Sequence, residues 1–95
     1  MENIKDFLNS IGIYKEGNFK DNQYIIDISN SNEFGKYYSI LNKSELVNED
    51  IEVSTVNVEN SNIRFNSDDF DLTLIADFNN SIYKLIVEEN WERLI

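Results

Sequence analysis

The stretch Phe70-Asp71-Leu72-Thr73-Leu74-Ile75-Ala76-Asp77-Phe78 decides the fold. Phe70, Leu72, Leu74, Ala76 and Phe78 recur at every second position, and Asp71, Thr73, Ile75 and Asp77 fill the places between. A period of two places the first set on one face of a strand and the acids on the other. The alternation has no fault, so the stretch reads as a strand with one buried face. Asn79-Asn80 reads as a two-residue hairpin turn, because Asn tolerates positive φ. Tyr83, Leu85 and Val87 then make the return strand. Upstream, Asn66-Ser67-Asp68-Asp69 is a turn, Ile63 and Phe65 start the preceding strand, and Asn60-Ser61-Asn62 is the turn before that. Earlier still, Ile51 and Val53 alternate, and so do Val56 and Val58. The parity slips between Val53 and Val56, which predicts a bulge or a bend.

The period changes to 3.6 in the N-terminal half. Ile4, Phe7, Leu8 and Ile11 stand at i, i+3, i+4 and i+7 of a short helix, and Gly12 follows where a terminating glycine belongs. Tyr14 to Asn22 reads as a connector, with Gly17-Asn18 and Asp21-Asn22 as turn signals. Gln23-Tyr24-Ile25-Ile26-Asp27-Ile28 is a strand with Tyr24, Ile26 and Ile28 on one face. Asn30-Ser31-Asn32-Glu33 carries the signature of a capping box. The helix it starts puts Phe34, Tyr37, Tyr38 and Leu41 on one stripe and ends near Asn42 or Lys43. Of the adjacent Tyr37 and Tyr38, one faces the core and the other its edge. Gly35 within this helix costs about 1 kcal/mol relative to Ala. Trp91, Leu94 and Ile95 suggest a last helical turn over a core edge. The expected architecture is a single α+β domain over residues 1–95. Two short helices pack on one face of a mostly antiparallel sheet of about five strands, in the order α-β-α-β-β-β-β.

The 95 residues are 41% apolar and 13% aromatic, a globular mix rather than a disordered one. One core leaves little room for a deep substrate cavity beside it. His, Cys and Pro are all missing. Without them there is no catalytic triad, thiol nucleophile, Cys/His zinc site or disulfide framework. Asn66 to Asp71 is rich in oxygen donors, but the calcium-loop pattern fails: its fifth position is Phe70, no glycine follows, and the twelfth is Asp77. No glycine-rich loop follows a strand. The expectation is a protein that is not an enzyme and holds neither metal nor cofactor. The first residues lack a basic region followed by an apolar one, and no apolar run approaches the ~20 residues of a membrane span. A soluble, cytoplasmic protein without a membrane partner is expected. Fifteen Asn and thirteen Ile beside two Arg point to an AT-rich genome, bacterial or phage.

Charge is the strongest functional signal. Eighteen acids against eight bases give a net charge of -10. Residues 1–48 contribute -2 (seven acids, five bases) and residues 49–95 contribute -8 (eleven acids, three bases). Between Ser44 and Tyr83 stand Glu45, Glu49, Asp50, Glu52, Glu59, Asp68, Asp69, Asp71 and Asp77, with Arg64 as the only cation. Solubility alone calls for a net charge of magnitude roughly 2–8 in a small domain. An acidic face of this kind steers a basic partner. Basic proteins with phosphate-binding grooves, nucleases among them, have complementary surfaces, and a carboxylate array can stand in for a polyanion. Glu45, Glu49, Asp50, Glu52, Asp68, Asp69 and Asp71 are the candidate partner-binding residues. Direct contact with nucleic acid is disfavoured, since no basic patch exists and phosphates would be repelled.

A second feature lies on the sheet face opposite the expected core. Ile25, Ile75, Ile82 and Ile86 recur there beside Thr73 and Lys84, a candidate self-association face for a homodimer. Two functions follow. One is a small acidic binding protein that blocks or sequesters a basic macromolecule. The other is an accessory subunit of a phage or mobile element that assembles through the apolar sheet face. No motif names a family. In size, acidity and plan the chain is similar in type to bacterial immunity proteins and phage-encoded inhibitors, a likeness that does not fix function.

Overall fold

The computed structural model describes residues 4–90. Helix α1 (Ile4–Ile11) is followed by strands β1 (Asn18–Lys20) and β2 (Gln23–Ile28), helix α2 (Ser31–Lys43), and strands β3 (Asn48–Val56), β4 (Asn60–Asn66), β5 (Phe70–Asp77) and β6 (Ile82–Glu89). The six strands form one antiparallel sheet in the order β1-β2-β6-β5-β4-β3. The α+β class and the helices on one face agree with the expectation, and the sheet has six strands rather than about five.

Local chemistry accounts for most boundaries. Gly12 takes φ 101°, a left-handed value, and the Ile13 amide donates back to the Leu8 carbonyl at 2.8 Å, which closes α1. Asn30 caps α2 with its side chain, accepting the Glu33 amide at 2.9 Å. The Glu33 carboxylate accepts Lys15 Nζ at 3.0 Å, so it serves the preceding connector. The helix ends at Lys43 as its periodicity requires.

The structure corrects three local expectations. The connector contains β1, which pairs with β2 through a two-residue turn at Asp21 and Asn22, with φ 51° and 66°. Asn60, Ser61 and Asn62 belong to β4 and pair with Asp77, Ala76 and Ile75; the turn before them is Asn57-Val58-Glu59. There the Asn57 carbonyl oxygen of the side chain accepts the amides of Glu59 and Asn60, both at 2.8 Å. Asp77 pairs directly with Ile82, so Phe78 to Ser81 form a four-residue loop, and Ser81, not Asn79 or Asn80, takes the positive φ of 54°. The turn read at Trp91, Leu94 and Ile95 lies outside the described residues.

The core sits between the helices and one sheet face. It joins Ile4 and Leu8 of α1 and Phe34, Tyr37 and Leu41 of α2 to the inward sets of β2, β4, β5 and β6. Leu72, Leu74, Leu85, Ile26 and Phe65 are fully buried. Tyr37 faces this core, and the half-buried Tyr38 packs at its edge. Gly17 is required where the connector crosses β2: a Cβ there would stand 2.3 Å from the Ile25 carbonyl oxygen. The cross-strand register also fixes the opposite face, which no described helix covers and which is the helix-free face below. One row runs Asn18, Ile25, Ile86, Thr73, Arg64, Asp50 across all six strands. Its neighbour on one side runs Gln23, Glu88, Asp71, Asn66, Asn48, and on the other Asp27, Lys84, Ile75, Asn62, Thr55.

Candidate functional site

The register decides where the candidate carboxylates lie. Asn48, Asn66, Asp71 and Glu88 are cross-strand neighbours, so the start of β3, the β4–β5 turn and the end of β6 share one end of the sheet. Glu49 and Asp50 open β3 there, Glu45 stands three residues before it, and Asp68 and Asp69 form the adjoining turn. Glu59 and Asp77 lie at the opposite end, where Asn60 pairs with Asp77. Thus Glu45, Glu49 and Asp50 come to the same end as Asp68, Asp69 and Asp71, while Glu52 stands further along β3 in its irregular part and Glu59 and Asp77 lie at the other end.

Their surroundings differ. Asp71 is buried to 8% exposure and takes Arg64 Nη2 at 3.3 Å, so its charge is matched within the sheet. The neighbouring Arg64 Nε is buried without a hydrogen-bond partner. Glu49, on the helix side, accepts the Tyr38 hydroxyl at 3.0 Å, and Asp50 accepts Asn66 Nδ2 at 3.4 Å. The Glu49 contact holds the Tyr38 phenol above its ordinary pKa, through the hydrogen bond first and then burial and like charge. At the far end, bonds from Asn80 hold the Asp77 carboxyl below the usual carboxylate range. The ion pairs between described residues are Lys5–Glu16, Lys15–Glu33 and Arg64–Asp71. Glu45, Glu49, Asp50, Glu52 and Glu59 belong to none of them.

Strand β3 has an irregularity with chemical consequences. It is the edge of the sheet, and its ladder with β4 jumps from Asp50↔Arg64 to Thr55↔Asn62. Four residues, Ile51 to Ser54, therefore stand opposite Ile63 alone. This is the parity slip of the sequence, larger than a one-residue bulge. Ser54 pins the excursion: its hydroxyl donates to the Asp50 carbonyl at 2.9 Å and accepts the Arg64 amide at 2.8 Å. The hydroxyl thus replaces the missing backbone acceptor of the ladder. The excursion also interrupts the straight edge that another strand could pair with.

Around it the surface is apolar as well as acidic. Leu46 is 54% exposed, Ile51 76%, Val53 48%, Val56 69% and Val58 95%. These five are among the nine large apolar residues that the described residues expose. Residues 45–59 hold five acids and no Lys or Arg. The candidate set drawn from charge alone omitted Leu46, Ile51, Val53, Val56 and Val58. Their signal was the broken alternation, which left no consistent buried face for β3. Of the second candidate set, Ile25, Ile75 and Ile86 form a half-buried cluster on the helix-free face, and Ile82, 47% exposed, lies at its margin beside Asp77.

Among the described residues no group of three or more His, Cys, Asp or Glu is placed to hold a metal ion. No helix among them is long and apolar enough to cross a membrane. A shallow cavity beside α1 is lined by Lys5, Leu8, Ile13, Tyr14, Lys15 and Tyr24; both lysines there are engaged with Glu16 and Glu33. Compared with family models, curated proteins and solved structures, the chain matches none.

Proposed function

We propose that this chain is a cytoplasmic binding protein that blocks or sequesters a basic protein, docking through the edge formed by residues 45–59. The observation that carries this reading is the coincidence of five acids, five exposed aliphatic side chains and no cation in one stretch. Burying an aliphatic side chain of this size stabilises by roughly 1.5–3 kcal/mol, a gain the fold leaves unused here. Charge supplies steering and orientation, while desolvated apolar groups supply affinity. The partner surface therefore carries an apolar cleft rimmed by Lys and Arg. A nuclease or another enzyme with a phosphate-binding groove has that chemistry, and Glu45, Glu49, Asp50 and Glu52, with Asp68 and Asp69 at the same end, would face its cations.

The test is capture of the partner from the native host, followed by titration calorimetry with the purified pair. Affinity should fall steeply with rising salt. Glu52→Lys should slow association several-fold, roughly as rim charges do, and Ile51→Ser with Val53→Ser should speed dissociation. An affinity indifferent to salt, or a partner whose contact surface is acidic, overturns the proposal.

A further inference from the structure

The helix-free face of the sheet offers a second surface, independent of the acidic edge. Its central row sets Ile25, Ile86 and Thr73 side by side, with Ile75 adjacent in the next row. Lys84 and Glu88 flank Ile86 on the same strand and the same face. They are about 14 Å apart along the strand, too far to pair with each other. Neither forms an ion pair with a described residue: Glu88 accepts Gln23 Nε2 at 3.4 Å, and Lys84, though opposite Asp27, is not bonded to it.

We propose that two copies of this chain associate through this face, sheet on sheet, about a two-fold axis laid along the Ile25–Ile86–Thr73 row. Rotation about that axis stacks Ile86 on Ile86 and Ile25 on Ile25. It exchanges the rows on either side, so Glu88 of each copy falls over Lys84 of the other, and each ion gains an ionic partner that it lacks among the described residues of its own chain. Arg64 and Asp50 lie roughly 10 and 14 Å from the crossing point, where twisted sheets packed at about 30° diverge. With β3 and β4 diverging and β1 only three residues long, β2, β6 and β5 over about seven residues give a contact of roughly 14 by 24 Å, about 340 Å² per copy. The pair is therefore a weak dimer, below the ~800 Å² per partner of a standard interface, and forms at high chain concentration. The edge of residues 45–59 suits a second copy poorly, because it would set carboxylate against carboxylate. On this face the rotation brings Lys84 and Glu88 together; of its other charges, Asp71 is matched by Arg64, Asp27 falls over Gln23 of the second copy, and Lys20 and Asp50 lie on the outer strands.

The experiment is mass by light scattering and sedimentation on the full chain, at moderate salt that screens the net charge of -10 but leaves short contacts in force. Wild type should approach twice its 11.2 kDa as concentration rises. Lys84→Glu and Glu88→Lys should each weaken the dimer at least about tenfold, since each sets like charges together twice. The double variant Lys84→Glu with Glu88→Lys should recover most of that loss. Ile86→Lys should give a monomer, with helix and strand content unchanged by circular dichroism. A wild-type mass of 11.2 kDa at about 1 mM chain, single variants that dimerise like wild type, or a double variant as weak as the singles would each overturn the proposal.

Discussion

Strands β5 and β3 are built from similar material and used in opposite ways. Both carry aliphatic residues between acids, and both run eight or nine residues. In β5, Phe70, Leu72, Leu74 and Ala76 are all buried, and both sides of the strand are paired. In β3, no residue is buried, one side is unpaired by any described strand, and Ile51, Val53 and Val56 face solvent. The difference comes from position and parity. A central strand under two helices buries whichever face its alternation makes apolar. An edge strand whose alternation breaks has no such face, and its aliphatic residues contribute little to folding. Apolar side chains that do not serve the fold are left available for contact with another molecule, the use proposed above for this edge.

Leu74→Ala, at a fully buried site, should cost about 3 kcal/mol of stability, read from the urea midpoint. A loss under about 1 kcal/mol would mean that the core is looser than its packing implies. At the edge, Ser54→Ala removes the hydroxyl that accepts the Arg64 amide and donates to Asp50. It should cost about 1 kcal/mol, and hydrogen exchange of the Arg64 amide should quicken while the amides of β5 stay protected. Ile51→Ser with Val53→Ser should shift stability by less than about 0.5 kcal/mol. That near-neutrality would sharpen the contrast, and a large loss would show that the excursion serves the fold after all. The smallest effect concerns pH. The Tyr38 phenol is held above its ordinary pKa by Glu49, so its contribution is fully present below about pH 10 and is lost as pH rises through the raised value. Tyr38→Phe should flatten that part of the stability profile between neutral and alkaline pH, and an unchanged profile would count against the Tyr38–Glu49 bond.

Legibility followed burial. The faultless alternation of β5, the apolar face of β2 and the Asn30 cap of α2 were readable because each rests on a local, repeated requirement. Strand β1 was not, since its three residues are all exposed and leave no periodic mark. Asn60 to Asn62 have turn composition, yet pairing with β5 holds them in a strand and buries Ser61 between its neighbours. The carboxylates of the candidate site were visible as residues, but their gathering at one end depends on register, which charge counts do not contain. The matching of Asp71 by Arg64 is likewise a product of pairing across β4 and β5. Exposed aliphatics were the least legible, because a hydrophobic residue is read as core until a strand is found that has none.

The seating of β6 between β2 and β5 joins the two ends of the described chain in one seam. Gln23 and Glu88, bonded across the seam, are separated by 65 positions, whereas β3 through β6 zip together through short hairpins. Closing so large a loop carries an entropic toll that local hairpins avoid. Tyr24 and Ile26 share the core with α1 and α2, but the β2 edge that pairs with β6 stays open until the last of the described strands is made. Contact order predicts that the local hairpins of β3 to β6 form before the β2–β6 seam closes.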